Sequence, residues 1–243
     1  MDWFKTPAIF VWSVLLFLAI GFFTTQLSAQ APGEEYPPKN PDPVEKLGDH
    51  LFRMGAIRID TQKREVTVPG KITGAKLLEF IAATKSDFRT YESAIQLDAN
   101  GLTFNVAMIL IGLDKANAVP PRFHFDPTPP TGDQVEVWVE WKAGNETKRM
   151  RAEELLWDEE KDQRFPRAPW VYLGSIVLPD GRYRADLDGV IIGFVHDAAS
   201  IIEWTGANGV GRFGRIKIDP KLGLGPGTPI TVIVTAAGPP PKN

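Results

Sequence analysis

The chain contains no cysteine among its 243 residues. That absence excludes a disulfide-stapled domain, a lipidated N-terminal cysteine and a thiolate nucleophile, so stability must come from packing alone. An excess of charge of one sign is missing too: 27 Lys and Arg stand against 30 Asp and Glu, for a net charge of -3. The basic residues are scattered rather than clustered, which leaves no electrostatic footprint for nucleic acid. Histidine is scarce, with only His50, His124 and His196, and no HExxH or other clustered ligand motif is present. The G-x-S-x-G elbow and the S-x-x-K pair are also absent, so no serine is placed beside a base.

What the chain does have begins with Ala8 to Phe23, a nearly unbroken apolar run of 16 residues behind Lys5, with no charge from Thr6 to Gly33. Its length lies between the apolar region of a secretory signal and the ~20 residues of a spanning helix. Residues 1–29 therefore read as an export segment, either a signal peptide cut after Ala29 in "LSAQ" or an uncut signal anchor. The remainder is expected outside the cytoplasm, in the periplasm, the envelope or the medium, touching membrane only through this segment. Residues 30–46, rich in Pro, Gly and charge, read as a linker, and 238–243 as a flexible tail. One folded unit spans 47–237.

Period-two alternation dominates that unit. Ile57 to Asp60 and Glu65 to Val68 flank the polar turn "TQKR" as a hairpin, and Val135 to Trp141 runs through "KAGNET" to a return strand at Lys148 to Arg151. A second pair is expected where "GRIKID" leads to "PITVIVT". Helices are expected at Ala75 to Ala83, Asn105 to Gly112 and Arg151 to Asp162. "PPRFHFDPTPPTGD" is too rich in proline for regular structure and should cross the surface. The fold class is thus mainly β, grading to α+β, with antiparallel sheets, a few short helices and an N-terminal export segment.

The stretch "GANGVGRFGRI" carries Gly209, Gly211 and Gly214 at the spacing of a dinucleotide loop. Such a loop must open a helix, whose free N–H groups hold the pyrophosphate. Arg215 to Asp219 alternates with period two instead, and Pro220 would break a helix. The expected reading is a glycine-rich turn feeding a strand, with no dinucleotide and no other cofactor. Asp186-Leu187-Asp188-Gly189 matches only the start of a calcium loop, whose fifth and twelfth positions here are Val190 and Asp197.

Two segments, "TYESAIQLDANGLTFNVAMILIGLD" and "APWVYLGSIVLPDGRYRADLDGVIIGFVHDAASIIE", resemble the YdjY-domain proteins, a family often found among exported bacterial proteins. The likeness covers about Gly55 to Glu203. The family's His-Glu-Ser pattern falls on Tyr91-Glu92-Ser93, its Trp-Val-hydrophobic-Gly-Ser strand on Trp170 to Ser175, and its Tyr-x-Ala-Asp on Tyr183 to Asp186. Tyr91 thus stands where the pattern has histidine. The resemblance implies a fold but no reaction, and relatives that carry an iron-sulfur segment are excluded as a guide, because a cluster needs thiolates.

Strand arithmetic gives the candidate site residues. Trp138 shares the wetter face of its strand with Glu136 and Glu140, where an aromatic ring can stack on a sugar or a partner. On Phe88 to Asp98, Tyr91, Ile95 and Leu97 should face inward and Thr90, Glu92 and Gln96 outward. Glu92, which the family pattern retains, is expected beneath a loop and paired with Arg182 or Arg184. Two functions follow. One is an exported, non-enzymatic module that binds an envelope protein or polysaccharide around Tyr91, Glu92, Trp138, Trp170, His196 and Asp197. The other is an exported metal-assisted hydrolase that would use His124, Asp126, His196 and Asp197, provided those four side chains converge.

Overall fold

The computed structural model describes residues 37–206 and 215–238. Three short strands, β1 (Val44–Lys46), β2 (Leu51–Met54) and β3 (Ile57–Asp60), lead by antiparallel pairing into the longer β4 (Glu65–Ile72). Then come β5 (Phe80–Ala83), β6 (Ser93–Leu97) and the helix α1 (Gly101–Leu110). The hairpin β7 (Asp133–Ala143) and β8 (Glu146–Arg151) follows, then β9 (Leu156–Asp158), β10 (Gln163–Arg164) and β11 (Trp170–Tyr172). The last elements are the short helix α2 (Arg184–Asp188), β12 (Val190–Gly193), β13 (Ile202–Trp204), β14 (Ile216–Ile218) and β15 (Pro229–Ala236).

Pairing runs β4-β15-β7-β11-β13-β12-β5-β6 and closes on itself, because β6 pairs with both β5 and β4. The fold is mainly β, built on this eight-strand barrel-like sheet. Closure leaves the ring without a free edge. Register explains why it is stable. Val68 lies opposite Val232, which lies opposite Val139, and Val66, Val234 and Val137 form the next row. Across the ring Trp170 faces Trp204, and Ile202 faces Ile192. All ten are buried, and each such side chain contributes roughly 1.5–3 kcal/mol through loss of water contact.

Helix α1 starts where its exposed N–H groups find acceptors. The Asn100 side chain accepts the Thr103 N–H at 2.7 Å, while the two Asp186 oxygens accept the N–H groups of Gly101 and Leu102 at 2.5 and 2.9 Å. Its buried face, with Phe104, Ala107 and Met108, packs with β3, β12 and α2.

Three expected elements come out differently. Ala75 to Ala83 is not a helix but a turn followed by β5, whose four residues are all buried; an apolar run covered on both faces has no helical or alternating stripe to distinguish it. Arg151 to Asp162 gives only a single 3-10 turn at Ala152–Leu155 before β9. The two C-terminal strands do not pair with each other. Instead β14 joins β9 in a separate three-stranded sheet, β10-β9-β14, and β15 lies between β4 and β7. The glycine loop containing Gly209, Gly211 and Gly214 lies outside the described residues, as do the apolar segment and residues 239–243; the described stretch that follows the loop is the strand β14. Among the described residues no helix is long and apolar enough to cross a membrane.

Candidate functional site

Two polar regions stand out, one at the end of β12 and one beside β4 and β6. The first gathers carboxyl groups where β12 ends. Gly193 has no side chain to obstruct them: a Cβ there would lie 2.4 Å from Glu203 Oε1 and 2.6 Å from Ser200 Oγ. Glu203 Oε1 accepts the Asp197 N–H at 3.2 Å. Complete burial pushes the Glu203 carboxyl well above the ordinary carboxylate range, so its neutral form is favoured.

The proline-rich segment expected to cross the surface does so, and it delivers His124 to this place. Nδ1 of His124 lies 2.9 Å from Asp197 Oδ2, and Nε2 lies 3.4 Å from Glu79 Oε2. The hydrogen bond to Asp197, then that to Glu79, raises the imidazole to about 9 against the cost of burial. Burial alone would raise Asp197, but the bonds from His124 and from the Ala199 N–H outweigh it and hold the carboxyl below its usual range. At neutral pH this is an imidazolium clasped by two carboxylates, a fixed cation rather than a free base.

The four residues of the hydrolase reading do not assemble. His124 and Asp197 meet. Asp126, however, is spent on the Arg122 guanidinium, at 2.8 and 3.1 Å, and on the N–H groups of Arg122 and Thr128, which hold its pKa well below the usual range. Nδ1 of His196 lies 2.7 Å from the backbone oxygen of Asp126, to which it donates. Among the described residues no three His, Asp or Glu side chains are disposed to hold a metal ion.

Glu92 is buried and paired, as expected, but with another partner. Its carboxylate accepts from Arg89, three residues earlier, whose Nε also donates to the Asp188 carbonyl at 3.1 Å. Arg182 and Arg184 pair with Asp180 and Asp188. Tyr91 is also corrected: it does not face inward but is 65% exposed, because β6 begins only at Ser93 and the preceding chain turns.

That turn forms the second region, a groove of about 590 Å³ on the outer side of β4 and β6. Lys71 and Gln96 are cross-strand partners on its floor, and Asp87, Thr90 and Tyr91 form one wall. Gln96 Nε2 donates to Asp87 Oδ1 at 2.8 Å and to the Lys85 carbonyl at 3.1 Å, fixing the carboxylate at the groove's edge. Adjacent residues thus serve different places: Tyr91 lines the groove, while Glu92 turns to Arg89.

The two tryptophans meet groups of their own chain. Trp138 lies on the expected outward face, but the guanidinium groups of Arg149 and Arg151 sit 4.8 and 5.3 Å from its ring centre, and its Nε1 donates to Glu136. Trp170 is fully buried and donates to Glu153 Oε2 at 2.7 Å. Much of the family-like pattern likewise builds the fold: the Tyr183 hydroxyl donates to the Gly174 carbonyl, Ser175 to the Ala199 carbonyl, and Asp186 caps α1.

Sequence reasoning missed Glu79, Arg89 and Glu203. The two acids did leave a signal, since each stands alone in an apolar run, "LLEFIAA" and "SIIEW", and a lone acid in such a run is either exposed or specifically paired. Arg89 left none. No curated protein and no solved structure matches the chain. The YdjY domain does match, from residue 57 to residue 235, across β3 and the whole closed ring of strands except the last residue of β15, and the chain belongs to the YdjY-domain family.

Proposed function

We propose that the chain is an exported, non-enzymatic module that binds an envelope protein or polymer, with the groove beside Tyr91 as its recognition surface. The observation that carries this reading is the large exposed ring of Tyr91 beside a groove on the wall of a closed barrel. A rigid scaffold that presents an aromatic side chain to solvent beside preformed polar groups suits binding, because little conformational freedom is lost on association. The chemistry at His124 supports the same choice over hydrolysis. Its imidazole is charged at neutral pH, and Asp126 and His196 are committed to Arg122 and to the backbone.

Export rests on the apolar run Ala8 to Phe23. A reporter fused after Asn40 should act outside the cytoplasm, and activity confined to the cytosol would defeat the assignment. Binding is tested by incubating the chain with its own envelope fraction and comparing it with Tyr91→Ala. Retention of a protein or polymer by the first and its loss by the second is the expected result. Equal retention by both would remove the groove from the function.

A further inference from the structure

We infer that the ligand of the Tyr91 groove is a neutral saccharide chain, an inference that rests on the binding reading just given. The backbone gives the first reason. Peptides commonly bind by adding a strand to a free sheet edge, but here β4 and β6 pair with each other along the floor, Lys71 with Gln96 and Ile72 with Ile95, and Thr73 continues the seam through its N–H to the Ala94 carbonyl. The edge a peptide would need is already used.

The lining gives the second. A protein interface takes its affinity from aromatic or aliphatic anchors sunk into apolar pockets. Here Ile72 is buried beneath the floor, and the surface is formed by hydroxyl, amide, ammonium and carboxylate groups beside the Tyr91 ring. A pyranose matches that combination, because its axial C–H groups form an apolar face that rests on an aromatic ring while its equatorial hydroxyls point outward to polar groups.

The polar groups are also held in place beforehand. Asp87 is fixed by Gln96, and the Thr90 hydroxyl donates to the Asp87 carbonyl at 2.9 Å. On the opposite wall the Thr73 hydroxyl donates to the Ser93 carbonyl and accepts the Ala75 N–H. Among the described residues, the Lys71 ammonium, Asp87 Oδ2 and the Gln96 amide oxygen have no protein hydrogen-bond partner. One donor and two acceptors thus face the groove, the complement of a sugar's vicinal hydroxyls, each able to donate and accept. Charge selects against a polyanion, since among the described lining residues Lys71 is the only cation and Asp87 offsets it. The groove volume falls within the roughly 300–1,000 Å³ of sites that hold an extended small ligand, which accommodates a short oligosaccharide.

The test uses the full chain with chitotetraose, cellotetraose and maltotetraose, each at millimolar concentration, read by saturation-transfer NMR and calorimetric titration. At least one tetrasaccharide should bind, with transfer concentrated on pyranose C–H protons. Tyr91→Ala should weaken it about tenfold and Tyr91→Phe by less than about threefold, because stacking needs the ring and not the hydroxyl. Asp87→Asn should also weaken it, and thermal melts of all three variants should match the parent because these side chains lie at the surface. Absence of binding by all three sugars, or binding indifferent to Tyr91→Ala, overturns the inference. Envelope capture separates the two levels. If a protein is retained in a Tyr91-dependent way and no tetrasaccharide displaces it, the saccharide reading fails and the binding reading stands; if nothing is retained and no tetrasaccharide binds, both fail.

Discussion

At the scale of the residue, His124 carries the clearest consequence for pH. Its folded-state value of about 9 lies above the ordinary 6.5, because Asp197 and Glu79 both stabilise the charged ring. A group raised on folding contributes stability fully below its unfolded value and loses that contribution as pH rises through the folded one. The window is therefore about pH 6.5 to 9. With the side chain 35% exposed, solvent screening reduces the contribution to about 1 kcal/mol. Denaturant melts at pH 6.5 and pH 9.5 should show the parent losing that amount, whereas His124→Gln loses none of it; parallel pH profiles would remove His124 as the cause. Glu92 supplies a second test. Replacing it by Gln leaves Arg89 beside a neutral amide at a largely buried position, and the chain should lose about 2 to 3 kcal/mol of stability. An unchanged melt would mean that the pair contributes nothing. That Glu92 would be buried and paired was legible from the family pattern, which keeps this acid while Tyr91 beside it departs from the pattern. Which arginine supplies it was not, because the choice depends on the path of a turn that no periodicity marks.

Among the elements, helix α1 depends most visibly on something remote in sequence. Asp186 reaches across 85 residues to Gly101 and accepts two N–H groups at the helix's first turn. Asp186→Ala strips both acceptors from a buried end and should cost about 2 to 3 kcal/mol, twice the value of an ordinary cap, while Asp186→Asn keeps one acceptor and should cost less. Hydrogen exchange locates the effect: the amides of Gly101 and Leu102 should lose protection before those of β7. Equal loss across the chain would mean that the cap stabilises nothing local. Local pattern found the β3–β4 and β7–β8 hairpins, because one face of each is wet and the alternation survives in the letters. It misread β5 as helix, since "FIAA" is buried on all sides and period two disappears when both faces are apolar. The pairing of β14 with β9 was equally out of reach, as partners some sixty residues apart leave no mark in either strand.

The whole molecule depends on one seam. The first three strands and the long β7 hairpin are local structures, but the ring closes only where β6 meets β4 and joins parallel β5. Composition and alternation predicted a strand-rich unit without disulfides, which fits a domain whose stability rests on packing; closure and strand order, being non-local, were not legible. The groove shares this dependence, since its floor residues Lys71 and Gln96 face each other only because the seam is made. Gly70 sits at the closest approach: a Cβ there would lie 2.4 Å from the Gln96 carbonyl oxygen, a backbone atom that can move only if the strands part. Gly70→Ala should therefore destabilise the chain by about 1 to 3 kcal/mol, the range for forced overpacking. The loss should be felt around the ring. Trp170 and Trp204 pair on the far side, between β11 and β13, so their near-ultraviolet circular dichroism should disappear at the same lowered denaturant midpoint as the far-ultraviolet strand signal. Two separate midpoints would show that the ring is not one cooperative unit. An unchanged midpoint would show that the seam yields without cost, and the groove, which needs that seam closed, would lose its claim to being preformed.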